Sequence, residues 1–239
     1  MLDVAIRKAD GSVAIDWQHV GIRSTPPLPV ASPLRTLLPG GLRRGSTVSV
    51  SGSVSLLFAL LGAASASGAW CALVGFPRIS AEAAHEYGVD LARIALIPEP
   101  GTGWTTAVGA LLDAVDIVAA RPPSRQSGSR LAPADIRRLA ARVRSKDAVL
   151  VPYFAGTGAA GTEAAETGWP GADVRLHAHN GSWSGIGTGE GRLRARQVEV
   201  TVSGRGQAGR TRSSCLWLPA AGGGIEPAAP LAPVIELAG

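Results

Sequence analysis

The chain has 239 residues, 46% hydrophobic and 17% charged, with a net charge of +5 and a pI near 10.0. That length carries one proper core, and the composition excludes global disorder. Only Lys8 and Lys146 are lysines, so the basic excess is arginine; its planar fork suits phosphate or carboxylate partners, while a coding bias toward Ala, Gly, Arg and Pro yields the same composition. In chain order, residues 1–31 are mixed and proline-bearing and read as an N-terminal arm. A β-branched strand over 47–50 then runs through Gly52 into an apolar helix over 53–66. Trp70–Val74 is a continuous apolar strand of the doubly buried kind. Further alternation follows: a helix over 81–87 ended by Gly88, a strand over 94–97, a helix over 105–113 and a strand over 115–119. After a polar loop at 121–130, Pro133 opens an amphipathic helix with Ile136, Leu139, Ala140 and Val143 on one face, and the strand 148–151 follows. Beyond residue 155 the pattern becomes antiparallel strands, over 174–178, 194–202 and 214–218, and residues 220–239 read as a flexible tail. Strand–helix alternation predicts a mostly parallel central sheet with helices on both faces, extended by antiparallel C-terminal strands.

Several chemistries are excluded or weakened by residue type and spacing. Cys71 and Cys215 stand alone in apolar runs and read as buried free thiols. His19, His85, His177 and His179 form no metal spacing with a cysteine or paired carboxylate; His177 and His179 share one face of a strand. No nucleophile elbow is present. Glu163 and Glu166 sit in a Gly/Ala/Thr stretch and read as solvated charges. Residues 1–20 contain Asp3, Lys8, Asp10 and Asp16, which excludes a secretory apolar segment, and Val54–Ala64 is too short to cross a bilayer. The expectation is a soluble, cytoplasmic protein with no membrane contact, no cofactor and no metal.

The most informative stretch is the first strand–helix junction. A working phosphate loop has the form G-x-x-x-x-G-K-[ST], whose backbone N–H groups cradle phosphate while its Lys neutralises it and its hydroxyl holds Mg²⁺. Here no second glycine follows Gly52 at that spacing, and Gly45–Gly68 contains no Lys or Arg. Gly52, Ser53 and Ser55 are either remnants of anion binding or turn and capping residues.

The order of elements resembles the core of RecA, the bacterial strand-exchange recombinase. The resemblance spans roughly 32–218 and is carried by the entry phrase 32–45, by "AEAAHEYGVDLARIALIPEP" at 81–100, by the helix and strand at 133–152, and by "ADVRL" at 172–176. It implies a RecA-like domain over 32–219. It also implies losses: the water-activating glutamate falls near Phe76–Pro77, the Mg²⁺-orienting acid of the Walker B strand near Arg121, and the γ-phosphate sensor near Phe154–Ala155. A small Arg/Ala/Gly-rich RecA-like domain without these groups is similar to the accessory proteins of the actinobacterial translesion-synthesis mutasome (ImuA-prime type). That resemblance implies a non-enzymatic adaptor of the damage-induced SOS response in DNA repair. Its partners would be an inactive Y-family polymerase homologue and, indirectly, an error-prone C-family polymerase. The alternative is a RecA-like ATP-dependent recombinase or recombination regulator that binds DNA.

For the partner surface, Trp169 and Trp183 in Gly/Ser-rich surroundings, with Arg192 and Arg194, are the hot-spot candidates; core insertion is the competing reading. Arg137, Arg138, Arg142 and Arg144 offer contact to DNA or to an acidic partner, or form a solvated helix face.

Overall fold

Among the described residues nine strands form one sheet, in the edge-to-edge order Glu226–Pro227, Arg212–Trp217, Gly191–Gly204, Val174–Ile186, Val48–Ser51, Val149–Phe154, Ile117–Ala120, Cys71–Val74, Ile94–Ile97. The computed structural model describes residues 6–7, 13–14, 25–123, 131–155, 168–186, 191–205 and 210–230. A separate antiparallel pair joins β1 (Ile6–Arg7) to β2 (Val13–Ala14). The sheet's strands are β3 (Val48–Ser51), β4 (Cys71–Val74), β5 (Ile94–Ile97), β6 (Ile117–Ala120), β7 (Val149–Phe154), β8 (Val174–Ile186), β9 (Gly191–Gly204), β10 (Arg212–Trp217) and β11 (Glu226–Pro227). From β8 across to β5 all pairings are parallel, and β9, β10 and β11 add antiparallel pairings at the other side. The expected α/β architecture is therefore the observed one.

Helices α1 (Val54–Ala66) and α2 (Ala81–Glu86) lie on one face, and α3 (Trp104–Leu112) and α4 (Pro133–Lys146) on the other. α1 is apolar around most of its circumference, so it suits only a central position. Leu56, Leu57, Leu60 and Leu61 are fully buried, and each such side chain contributes about 2 kcal/mol relative to exposure. α4 shows the opposite design, burying only Leu139 and Val143 while its arginines face solvent. Gly88 takes the left-handed conformation its position after α2 predicts.

Two boundaries differ from expectation. Leu28 and Val30 are buried in the α1-side core, and Leu28 exchanges backbone hydrogen bonds with Leu42, so the packing reaches back to Leu28 rather than beginning at 32. At the other end, residues 220–230 are not a loose tail. Ala220 is buried, Ile225 packs on the core, β11 pairs with β10, and Gln197 donates to the Ala229 carbonyl at 2.6 Å. Alternating small residues and prolines hid this in the sequence, because backbone pairing supplies the attachment. A chain ending at 219 is expected to lose about 2 kcal/mol, a fall of roughly 4–8 °C in thermal midpoint. A chain ending at 230 should stay nearer wild type; equal midpoints for the two would mean that residues 220–230 carry no stability.

Candidate functional site

In open α/β sheets ligands sit beyond the carboxyl ends of the parallel strands. At that edge the junction between β3 and α1 is only two residues, Gly52 and Ser53. Gly52 is left-handed (φ 89°) and its N–H donates to the Phe154 carbonyl of β7 at 3.1 Å. A side chain there would overlap the Ala178 carbonyl of β8. Ser53 caps α1 by accepting from Leu56 N–H at 3.4 Å, and Ser55 is half-buried in the first turn. At Gly52 the turn is thus closed onto its neighbouring strands.

The other expected losses lie along the same edge. Phe76 after β4 is buried and packs on Tyr153 of β7, ring centroids 5.6 Å apart. Arg121 follows β6; its carbonyl accepts from Trp104 Nε1 at 2.8 Å, while its N–H donates to Val74. Where a nucleotide hydrolase needs a phosphate loop after β3 and carboxylates after β4 and β6, these ends present a two-residue glycine turn, an aromatic ring and an arginine. Burial pushes the Tyr153 phenol above its ordinary value, which disfavours a proton-transfer role near neutrality. Burial likewise pushes the Cys71 thiol up to about 12, so it is an inert core residue; Cys215 is half-buried, and both are free.

A second feature was not anticipated. Three adjacent strands alternate apolar and polar residues: Val48–Ser51 on β3, Val174–His179 on β8 and Val198–Ser203 on β9. Their registers align the polar members in rows, Ser49–Arg175–Ser203 and Ser51–His177–Thr201, with His179 opposite Glu199. These residues, with Gly168 and without Glu199, line a cleft of about 370 Å³. Ser51 Oγ and His177 Nδ1 are 2.8 Å apart, and the His177 and His179 rings stack at 5.3 Å. Ser49 Oγ accepts from Trp169 N–H at 3.3 Å. The apolar members face the α1-side core, which is why V-S-V-S, V-R-L-H-A-H and V-E-V-T-V-S were the available signal.

The proposed hot spots separate. Trp169 is only 2% exposed and packs on Trp104 at 6.2 Å, so its assignment to a partner surface is corrected: it is a core residue. Its Gly-rich neighbours gave no hint that α3 brings an indole against it. Trp183 is 48% exposed on the outer half of the β8–β9 hairpin, opposite Arg196, whose guanidinium lies 5.9 Å from the ring. Arg192 and Arg194 are exposed on the same strand as Arg196, and Ile186 and Leu193, which sequence reasoning passed over, are exposed beside them. On α4 all four arginines are exposed. Arg142 makes a two-pronged pair with Asp113 at the end of α3, and Arg138 pairs with Asp135 at 3.3 Å. The Arg142 hydrogen bonds hold the Asp113 carboxyl below its ordinary value, with Lys146 assisting. Arg142 therefore staples two helices, whereas Arg137 and Arg144 have no ion-pair partner among the described residues. Glu163, Glu166, His19, Arg125 and Arg130 lie outside the described residues. Among the described residues no cluster of His, Cys, Asp and Glu could hold a metal, and no helix is long and apolar enough to cross a membrane.

Comparison with solved structures finds the RadB recombinase, with a TM-score of 0.58 and 15% identity over 83% of this chain and 97% of that one; such a likeness shows the RecA-like fold alone. Protein Rv3395c of Mycobacterium tuberculosis (strain ATCC 25618 / H37Rv) is 33% identical over 145 residues, or 59% of this chain and 63% of that protein, less than two thirds of its length. The model of the family described as the MT3502 N-terminal domain matches residues 36–156, from the entry phrase before β3 through the end of β7. That span is half of the chain and contains the closed β3–α1 turn, so the protein belongs to the MT3502 N-terminal domain family.

Proposed function

We propose that this protein is a non-catalytic RecA-like adaptor in damage-induced, error-prone translesion DNA synthesis. It would bind an inactive Y-family polymerase homologue and through it serve an error-prone C-family polymerase. The observation that carries the non-catalytic part is the two-residue β3–α1 turn, with the Gly52 N–H committed to Phe154 and its Cα packed against Ala178. The mutasome assignment is supported by the sequence resemblance to ImuA-prime-type proteins and agrees with the RecA-like fold. The partner surface is the outer hairpin, where Trp183, Ile186 and Leu193 are exposed beside Arg192 and Arg194. Aromatic and arginine side chains there give large contact area when desolvated.

Isothermal titration with ATP and Mg²⁺ separates the adaptor from an ATP-dependent recombinase or regulator. No saturable binding is expected, and no turnover above background with single-stranded DNA; micromolar binding would sink the adaptor reading. Restoring one Lys after Gly52 should not rescue activity, because the acidic groups at β4 and β6 are also gone. Co-purification of the tagged chain from damaged cells should recover the polymerase homologue. Trp183→Ala should weaken that complex by ~2 kcal/mol or more while leaving the melting temperature near wild type. Full affinity in the mutant would remove the hairpin from the interface.

A further inference from the structure

We propose that the cleft on the polar face of β3, β8 and β9 binds a small phosphate monoester, at a place separate from the closed nucleotide position. Three observations converge. First, Arg175 occupies the middle of this face with its Nε buried beneath Gly168 and without an acceptor; it has no ion-pair partner among the described residues. A buried Nε–H without an acceptor is costly, and the fork that its guanidinium presents to the cleft matches two phosphoryl oxygens at once.

Second, the surrounding groups supply hydrogen rather than negative charge. Ser203 presents a hydroxyl, Ser51 and Thr201 present hydroxyls held only by long bonds of 3.5 Å to the Leu176 and His177 carbonyls and, for Ser51, by His177 Nδ1, and His177 and His179 present imidazoles. The cleft lining contains no carboxylate among the described residues. Glu199, the nearest acid in register, stands opposite His179 and accepts from Asn180 at 3.4 Å. Asp173, two residues before Arg175, accepts from Thr47 N–H at 2.9 Å and faces Arg43.

Third, the donors stand on three strands around one volume of about 370 Å³, within the range of small-ligand sites. A row of donors spread over three strands can meet the three terminal oxygens of a monoester, one more than a diester offers. The rigid ladder holds them at fixed spacing, so ordering costs little.

The test is isothermal titration of the full chain with ribose 5-phosphate, dimethyl phosphate and a 5′-hydroxyl oligothymidine. Ribose 5-phosphate should bind saturably, with dimethyl phosphate at least tenfold weaker. Arg175→Gln should lose at least tenfold, Thr201→Val a few-fold, and Trp183→Ala nothing. If Arg175→Gln does not fold, Arg175→Lys, which keeps the charge and loses the fork, should still weaken binding severalfold. Absence of saturable heat up to millimolar ribose 5-phosphate would overturn the proposal, as would wild-type affinity in the folded Arg175 variant. An oligothymidine binding more tightly than the monoester, with loss on Arg175 replacement, would also overturn it, since the site would then read a diester backbone. Failure here leaves the adaptor reading untouched, because that reading concerns the other end of the hairpin.

Discussion

Gly52→Ala is expected to lower the thermal midpoint by roughly 8–16 °C. Two costs add. The residue holds φ 89°, a conformation that an L side chain adopts only under strain of ~1–3 kcal/mol. The new Cβ also overlaps the Ala178 carbonyl, which is fixed in the β8 ladder and cannot rotate away, adding ~1–3 kcal/mol. A sum near ~4 kcal/mol in a domain of this size corresponds to that shift. The comparison is Gly40→Ala, where no atom lies within 4 Å of the added carbon and the midpoint should move by about 1 °C or less. Equal midpoints for the two variants would mean that the β3–α1 turn relaxes freely and is not closed onto β8.

The second large effect divides the two tryptophans. Trp169→Ala removes an indole that is almost fully enclosed and packed on Trp104, leaving a cavity between α3 and the sheet, at ~3–5 kcal/mol. Trp183→Ala removes a half-exposed ring with one cation–π neighbour, so its stability cost should stay within ~1 kcal/mol. Urea denaturation of both variants checks the difference. A stable Trp169→Ala variant would return that residue to the surface.

Period and punctuation carried most of the fold into view. The apolar runs at β4, β6 and β7 and the capped, periodic α4 were legible because a doubly buried strand and an amphipathic helix leave distinct patterns. The length of β8 was not. An extra residue between His179 and Ser182 breaks the two-residue alternation, and Asn180–Gly181 looks like a hairpin turn although the strand continues to Ile186. The closed turn was half legible. Missing Lys and Gly residues set it apart from a phosphate loop, but only the fold reveals that Phe154 and Ala178 pack against Gly52. Trp169 and the polar cleft both depended on which strands become neighbours. β3 meets β8 across more than a hundred intervening residues, and local spacing carries no record of that pairing.

The closed turn also bears on how a phosphate loop could arise at this place. A phosphate loop that loses only its Lys remains one substitution from recovery, and drift can return it. Here strand and helix are joined by two residues, and backbone from β7 and β8 lies against them. No series of single substitutions restores it. An ancestor-like loop would need inserted residues, and until they were long enough to clear Ala178 each insertion would disrupt the β3–β8 pairing that the core depends on. At this junction, then, point substitution can alter the surfaces around the turn but not the length of the connection.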